Sequence, residues 1–159
     1  MNPTDLDVRV DHVGIAVESV EDAEPVLDAL GCERVVDDTV EGRFRWVYYR
    51  LGAASRLELI EPVAADTFLT EFLDRHGPGL HHVTLEVADI DAVVDALDAA
   101  GIETIDRRSY EGWTEAFVSP RNATGVLFQL MEYHDAFTEG RDHDEASFFI
   151  DGRRLSADG

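Results

Sequence analysis

The 159-residue chain contains no lysine; all 13 of its basic residues are arginine. Against 34 acidic residues this leaves a formal net charge of −21. The chain therefore lacks the basic footprint that phosphate binding needs, and neither a nucleic acid nor an anionic membrane surface is an expected partner. Its one cysteine, Cys32, excludes an intramolecular disulfide and a cysteine-based zinc site, which suits a reducing cytoplasm. Its expected role is that of a small buried hydrophobe. No apolar run approaches the roughly 20 residues that cross a bilayer. The opening MNPTDLDVRVDH has neither the basic start nor the apolar stretch of a secretory signal, so a cytoplasmic location is expected.

What the chain does have is enough apolar material, 45% of its residues, to build one ordinary domain without disulfide or metal staples. The acidic, lysine-free composition resembles that of proteins from salt-accumulating haloarchaea. In dilute buffer such a surface repels itself; at about 1 M salt the screening length falls to ~3 Å and the repulsion is largely removed.

An internal repeat decides the fold. DHVGIAVESVEDAEPVLDALG at 11–31 matches HHVTLEVADIDAVVDALDAAG at 81–101, with His12, Val13, Val17, Leu27 and Gly31 each 70 residues before its partner. Glu41-Gly42 and Glu111-Gly112 keep that offset, and one added residue then sets LELIE at 57–61 opposite FQLME at 128–132. Each copy opens with a period-two strand, followed by an amphipathic helix with a polar start (Ser19 with Asp22; Asp89). The apolar helix positions include Val26, Leu27 and Leu30 in one copy and Val93, Val94 and Leu97 in the other. A glycine, Gly31 or Gly101, stands where a helix C-terminal glycine belongs.

Three further strands are expected in each copy, near 33–38, 43–51 and 55–61, then near 102–107, 114–119 and 125–132. The expected fold class is α+β: two tandem βαβββ modules, 8–62 and 79–133, forming a curved mixed sheet around a metal-binding cleft within one domain, 1–133. A short helix is expected in the linker over DTFLTEFLDRHG. Residues 134–159 form an acidic extension whose SFFI segment could add a strand or cover a partner subunit.

Strand parity sorts the polar residues. Val13, Ile15 and Val17 face the helix, and His12, Gly14 and Ala16 take the other side; His82, Thr84 and Glu86 repeat the pattern. On the last strands Leu57 and Leu59 face the helix while Glu58 does not, and Gln129 stands likewise between Phe128 and Leu130. Facing half-sheets would bring His12, Glu58, His82 and Gln129 towards one point. Two imidazoles, a carboxylate and an amide oxygen suit a divalent Mn, Co, Ni, Fe or Zn ion better than calcium, and the positions left open mark a catalytic site. His81 points to the helix side as a structural or supporting residue. His76, His134 and His143 read as surface residues, and Glu61 and Glu132 face away from the site.

These segments, with HGPGLHHVTLEVADIDA, EGWTEAFVSP and GVLFQL, resemble the vicinal oxygen chelate superfamily over residues 8–133, and within it the methylmalonyl-CoA epimerases. The resemblance implies metal ligands at His12, Glu58, His82 and Gln129. In that family the last ligand is a glutamate that is also a candidate base, and glutamine cannot take a proton at useful pH. Arg45 falls where the family's other carboxylate stands. The resemblance thus leaves Glu58, through pseudo-twofold symmetry, and Glu115, the repeat equivalent of Arg45, as the catalytic carboxylates. Arg45 becomes a candidate substrate-binding residue. Arg43, Arg45, Arg50 and Arg56 could grip an acyl-CoA phosphate or carboxylate, or simply pair with nearby acids.

The implied activity is metal-dependent movement of a proton α to a carbonyl, of the methylmalonyl-CoA epimerase type. The alternatives are a glyoxalase I-like lyase acting on thiol adducts of 2-oxoaldehydes and a non-catalytic small-molecule-binding protein of the same fold. The expected partners are an acyl-CoA or thiol adduct and a second copy in a homodimer. The charge generates one prediction of its own: the thermal midpoint rises as KCl is raised from about 0.1 to about 1 M. A flat or falling midpoint in differential scanning calorimetry would remove the salt-adapted reading.

Overall fold

The computed structural model describes residues 6–52, 55–122, 124–134, 149–150 and 153–154. The chain divides into two compact units, residues 12–81 and residues 82 onward together with the segment before His12. The first copy of the repeat supplies β1 (Val8–Ala16), α1 (Val20–Ala29), β2 (Glu33–Val40), β3 (Phe44–Leu51) and β4 (Ser55–Pro62). A linker helix, α2 (Phe68–His76), leads to β5 (Gly79–Val87), α3 (Ile90–Ala99), β6 (Thr104–Ser109), β7 (Trp113–Val118) and β8 (Leu127–Tyr133). The expected pair of βαβββ modules is the observed one, an α+β fold. Strands run in the order β2-β3-β4-β1 in the first copy and β5-β8-β7-β6 in the second.

In both copies the first and last strands pair in parallel and the hairpin strands pair antiparallel. Val13 stands opposite Leu57 and Gly14 opposite Glu58; Val83 stands opposite Phe128 and Thr84 opposite Gln129. The helix-side residues then form two cores. Val17, Val20, Leu27, Val47, Tyr49 and Leu59 pack together in the first, with Ile15 and Leu57 beside them. Val87, Ile90, Val93, Ala116, Val118 and Leu130 form the second. Burying each valine, leucine or isoleucine side chain contributes roughly 1.5–3 kcal/mol. Tyr49 is fully buried, and its hydroxyl reaches Glu24 at 2.9 Å. Burial, and then the Glu24 carboxylate, hold that phenol well above its ordinary range.

One helix face differs from expectation. Leu27 is buried, but Val26 and Leu30 are 63% and 72% exposed. The core stripe of α1 is Val20, Ala23 and Leu27. Val26 lies about 100° around the helix from Leu27, and Leu30 is already the C-cap. In α3 the expected positions do reach the core, with Val93 buried and Val94 and Leu97 packed against it.

The helix ends are duplicated almost atom for atom. Ser19 and Asp89 each accept a bond from the third residue onward, Asp22 and Ala92, at 3.2 and 3.0 Å. At the other end Gly31 and Gly101 both adopt φ +76°, the left-handed region where a side chain is strained. Cys32 N–H and Ile102 N–H then donate to Leu27 O and Leu97 O, both at 2.9 Å. This is a Schellman cap with its apolar contact, and it explains the burial of Cys32.

A second acceptor at each N-terminus went unread in the sequence. Glu61 Oε2 accepts from Val20 N–H at 2.7 Å, and Glu132 Oε2 accepts from Ile90 N–H at 2.6 Å. Both carboxylates face the helix side, and each meets the positive end of a helix dipole.

The strand limits shift modestly. β6 begins at Thr104 because Ile102 is spent on the helix cap, and β8 begins at Leu127 because Gly125, with φ +70°, closes a turn onto Pro120 O. In the C-terminal extension, Phe149–Ile150 (β9) pairs antiparallel with Arg153–Arg154 (β10), a separate ladder rather than an addition to the modules. Ser147, Phe148 and His143 lie outside the described residues.

Removing either capping carboxylate, as Glu61→Ala or Glu132→Ala, is expected to cost about 1 kcal/mol in urea unfolding. The two losses should add in the double variant, because each caps its own helix.

Candidate metal and proton-transfer site

The first copy presents its polar face through β1, β3 and β4. His12 and Glu58 are buried, at 2% and 7% exposure, and His12 Nε2 lies 3.4 Å from Glu58 Oε2. Tyr48, opposite Glu58 on β3, sets its ring edge-on to His12 with centroids 5.0 Å apart and its hydroxyl 3.3 Å from Nε2. His82 is buried too. One ligand atom from each of His12, Glu58 and His82 lies within 4.8 Å of the others. Two imidazole nitrogens and a carboxylate oxygen at that spacing, all shielded from solvent, are compatible with a divalent metal ion.

In the second copy Gln129 takes part in a hydrogen-bond chain. The Thr84 hydroxyl donates to Gln129 Oε1 at 2.7 Å, and Gln129 Nε2 donates to Glu115 Oε2 at 2.8 Å. Trp113 Nε1 and the Tyr110 hydroxyl also donate to the Glu115 carboxylate, at 3.3 and 3.2 Å. Glu115 is 7% exposed and Thr84 fully buried. Burial and the neighbouring Glu115 charge both push the Tyr110 phenol up.

Arg45 pairs with nearby acids. Its guanidinium is held by Asp37 at 2.8 Å through two nitrogens and by Glu21 at 2.6 Å, with Glu61 Oε2 at 3.8 Å. It stands opposite Glu61 and shares the helix-side face with Val47 and Tyr49, where it acts as an ion-pairing residue. The sequence register failed in the hairpins. Val40 pairs with Phe44 across three residues, whereas Ser109 pairs with Thr114 across four. A one-residue slip exchanges the faces of a strand. Trp46, opposite Ile60, is therefore the counterpart of Glu115, opposite Met131. Trp46 is 4% exposed, and its ring stands edge-on to Tyr48 with centroids 5.0 Å apart.

Of the remaining candidates, Arg50 pairs with Glu33 at 2.6 Å and Arg56 is buried. His81 packs against Phe72 and Phe68 of α2, with ring centroids at 4.8 and 5.6 Å, in the structural role expected of it. His76 and His134 are exposed, as expected. The sequence did not single out Tyr48, Tyr110, Trp46 or Trp113. Trp46 and Tyr48, two apart on β3, and Tyr110 and Trp113, three apart at the turn into β7, were the available signal, and a core role explained them equally well.

Comparison with known proteins fits this geometry. Residues 11–117 match the glyoxalase/bleomycin resistance protein/dioxygenase superfamily, and the chain belongs to that superfamily. An uncharacterised Bacillus subtilis protein, YqjC, is 37% identical over 128 residues, covering 78% of this chain and 91% of its own length. The mitochondrial methylmalonyl-CoA epimerase of Mus musculus is 32% identical over 132 residues, covering 78% of this chain and 72% of its own. A solved methylmalonyl-CoA epimerase in complex with methylmalonyl-CoA and ammonium superposes with a TM-score of 0.70 at 26% identity, over 82% of this chain and 98% of the other.

The Arg45 assignment is checked by Arg45→Met. Arg45 holds the Asp37 carboxyl below its ordinary value by donating hydrogen bonds to it. A depressed carboxyl stabilises the fold above its unfolded-state range and loses that contribution as pH falls through its folded value. The parent should therefore exceed R45M in stability at neutral pH, and the gap should close below about pH 4. Metal affinity should be the same in both.

Proposed function

We propose that the protein is a divalent-metal-dependent epimerase that moves the proton α to an acyl-CoA thioester, of the methylmalonyl-CoA epimerase type. The observation that carries the reading is the buried His12–Glu58–His82 set on a fold shared with that enzyme. The epimerase names of the relatives favour it over glyoxalase chemistry. His12, Glu58 and His82 would hold the ion, which supplies Lewis-acid stabilisation of the charge that develops when the α-proton leaves. A carboxylate must move that proton. Glu115 is the proposed carrier, since its carboxylate is buried, faces the same side of its strand as Gln129, and is fixed by three donors. Glu58, its counterpart in kind on the other copy, is the second candidate. Return of the proton to the opposite face of the carbon needs a second acid, for which the Tyr48 hydroxyl beside His12 is the proposed candidate.

The test is metal analysis of protein purified in high salt, followed by incubation with methylmalonyl-CoA in deuterated water. Stoichiometric metal with deuterium at the α-carbon and interconversion of the epimers is expected. Metal without exchange would discard the substrate; neither would leave a binding protein of the same fold. Glu115→Gln is expected to lower kcat by about 10²–10⁴-fold while retaining metal. His12→Ala and His82→Ala are expected to lose the metal itself.

A further inference from the structure

We infer that the indole N–H of Trp46 is a substrate-binding donor, held for an oxygen of the substrate's acyl group. The inference rests on the acyl-CoA reading above and adds to it a residue that recognises the acyl end.

Trp46 is 4% exposed, and among the described residues its Nε1 has no hydrogen-bond partner. An indole nitrogen can only donate. A buried donor left unpaired forfeits the bonds it made to water, so native proteins seldom keep one without a reason. The other tryptophan shows the ordinary outcome: Trp113 Nε1 donates to Glu115 Oε2 at 3.3 Å.

The sheet explains why Trp46 finds no acceptor. Its ladder neighbours are Ile60 on β4 and Asp38 on β2, and beyond Ile60 stands Ala16 on β1. Ile60 and Ala16 are buried and apolar. Asp38 is exposed, and its carboxylate accepts from Thr39 N–H at 2.7 Å.

The next row on the same face is Tyr48, Glu58 and Gly14. The indole stands edge-on to Tyr48, which stands edge-on to His12, with centroids 5.0 Å apart in each pair. The unpaired donor is thus one row from the His12–Glu58 pair, and β1 contributes no more than the methyl of Ala16 beside it. A malonyl-type thioester suits this place. Its carbonyl and its free carboxylate both accept, and the carbonyl gains charge as the α-proton leaves. A neutral donor fixed away from water serves such an oxygen well.

The test follows the two indole ¹⁵N–H resonances in protein supplied with Zn2+; W46F identifies that of Trp46 by its loss. The protein is saturated in turn with methylmalonyl-CoA, with propionyl-CoA, which lacks the carboxylate, and with CoA, which lacks the acyl group. The Trp46 proton is expected to move downfield with methylmalonyl-CoA and to stay in place with CoA. A like shift with propionyl-CoA assigns the acceptor as the thioester carbonyl, and its absence assigns the carboxylate. W46F is expected to bind methylmalonyl-CoA about 10–100-fold more weakly than the parent while binding CoA equally well.

A Trp46 resonance unmoved by bound methylmalonyl-CoA, or moved as far by CoA, would overturn the inference. Equal weakening of both ligands in W46F would do the same, because it marks a loss of packing. The resonance reports binding and not turnover. A parent that binds methylmalonyl-CoA without exchanging its α-proton would therefore sink the epimerase reading while still deciding the role of Trp46; a parent that does not bind it overturns both.

Discussion

A parallel ladder between the first and last strand of each module fixes which side chains can meet. With Gly14 opposite Glu58 and Thr84 opposite Gln129, every residue along those strands is assigned to one of two faces. On the helix side the assignment gathers valines and leucines that exclude water. On the other side it sets His12 beside Glu58 in the first copy and Thr84 beside Gln129 in the second, polar groups that would be costly to bury singly. A shift of one residue in either ladder would place leucines at the site and carboxylates under a helix. The apolar cores therefore do more than stabilise the modules, since they set the register on which the polar face depends.

Both duplicated helices are held by the same devices, while the polar faces have diverged. Ser19 and Asp89 cap, Gly31 and Gly101 terminate, and Glu61 and Glu132 accept from the first turn. These positions answer to backbone geometry, which is the same in both copies. Glycine against threonine at 14 and 84, and tryptophan against glutamate at 46 and 115, answer to chemistry, which is not.

The repeat was legible because its offset survives strands, helix and glycine together, and the side of the sheet on which His12, Glu58, His82 and Gln129 stand followed from period-two parity. The hairpin strands were less legible. Parity counts residues from a fixed start, and a turn of uncertain length destroys the count; one residue of difference between the hairpins put Arg45 where Trp46 belongs. The exposure of Val26 and Leu30 was hidden for another reason, since apolar residues four apart mark a helix face without saying which face is covered. The carboxylates at Glu61 and Glu132 were visible, but their bond to a helix beginning some 40 residues away in sequence is a tertiary fact.

The strand that carries Glu58 also carries, three residues later, the carboxylate that grips the first turn of α1. Strand and helix are thereby joined like a crank and its handle. Displacement of α1 along its axis would pull on Glu61 and, through a stretch of extended backbone with little slack, on Glu58. Mechanical compliance at the site is then governed in part by how firmly α1 is seated, and the solvent-facing surface of that helix lies only one short strand segment from the His12–Glu58 contact.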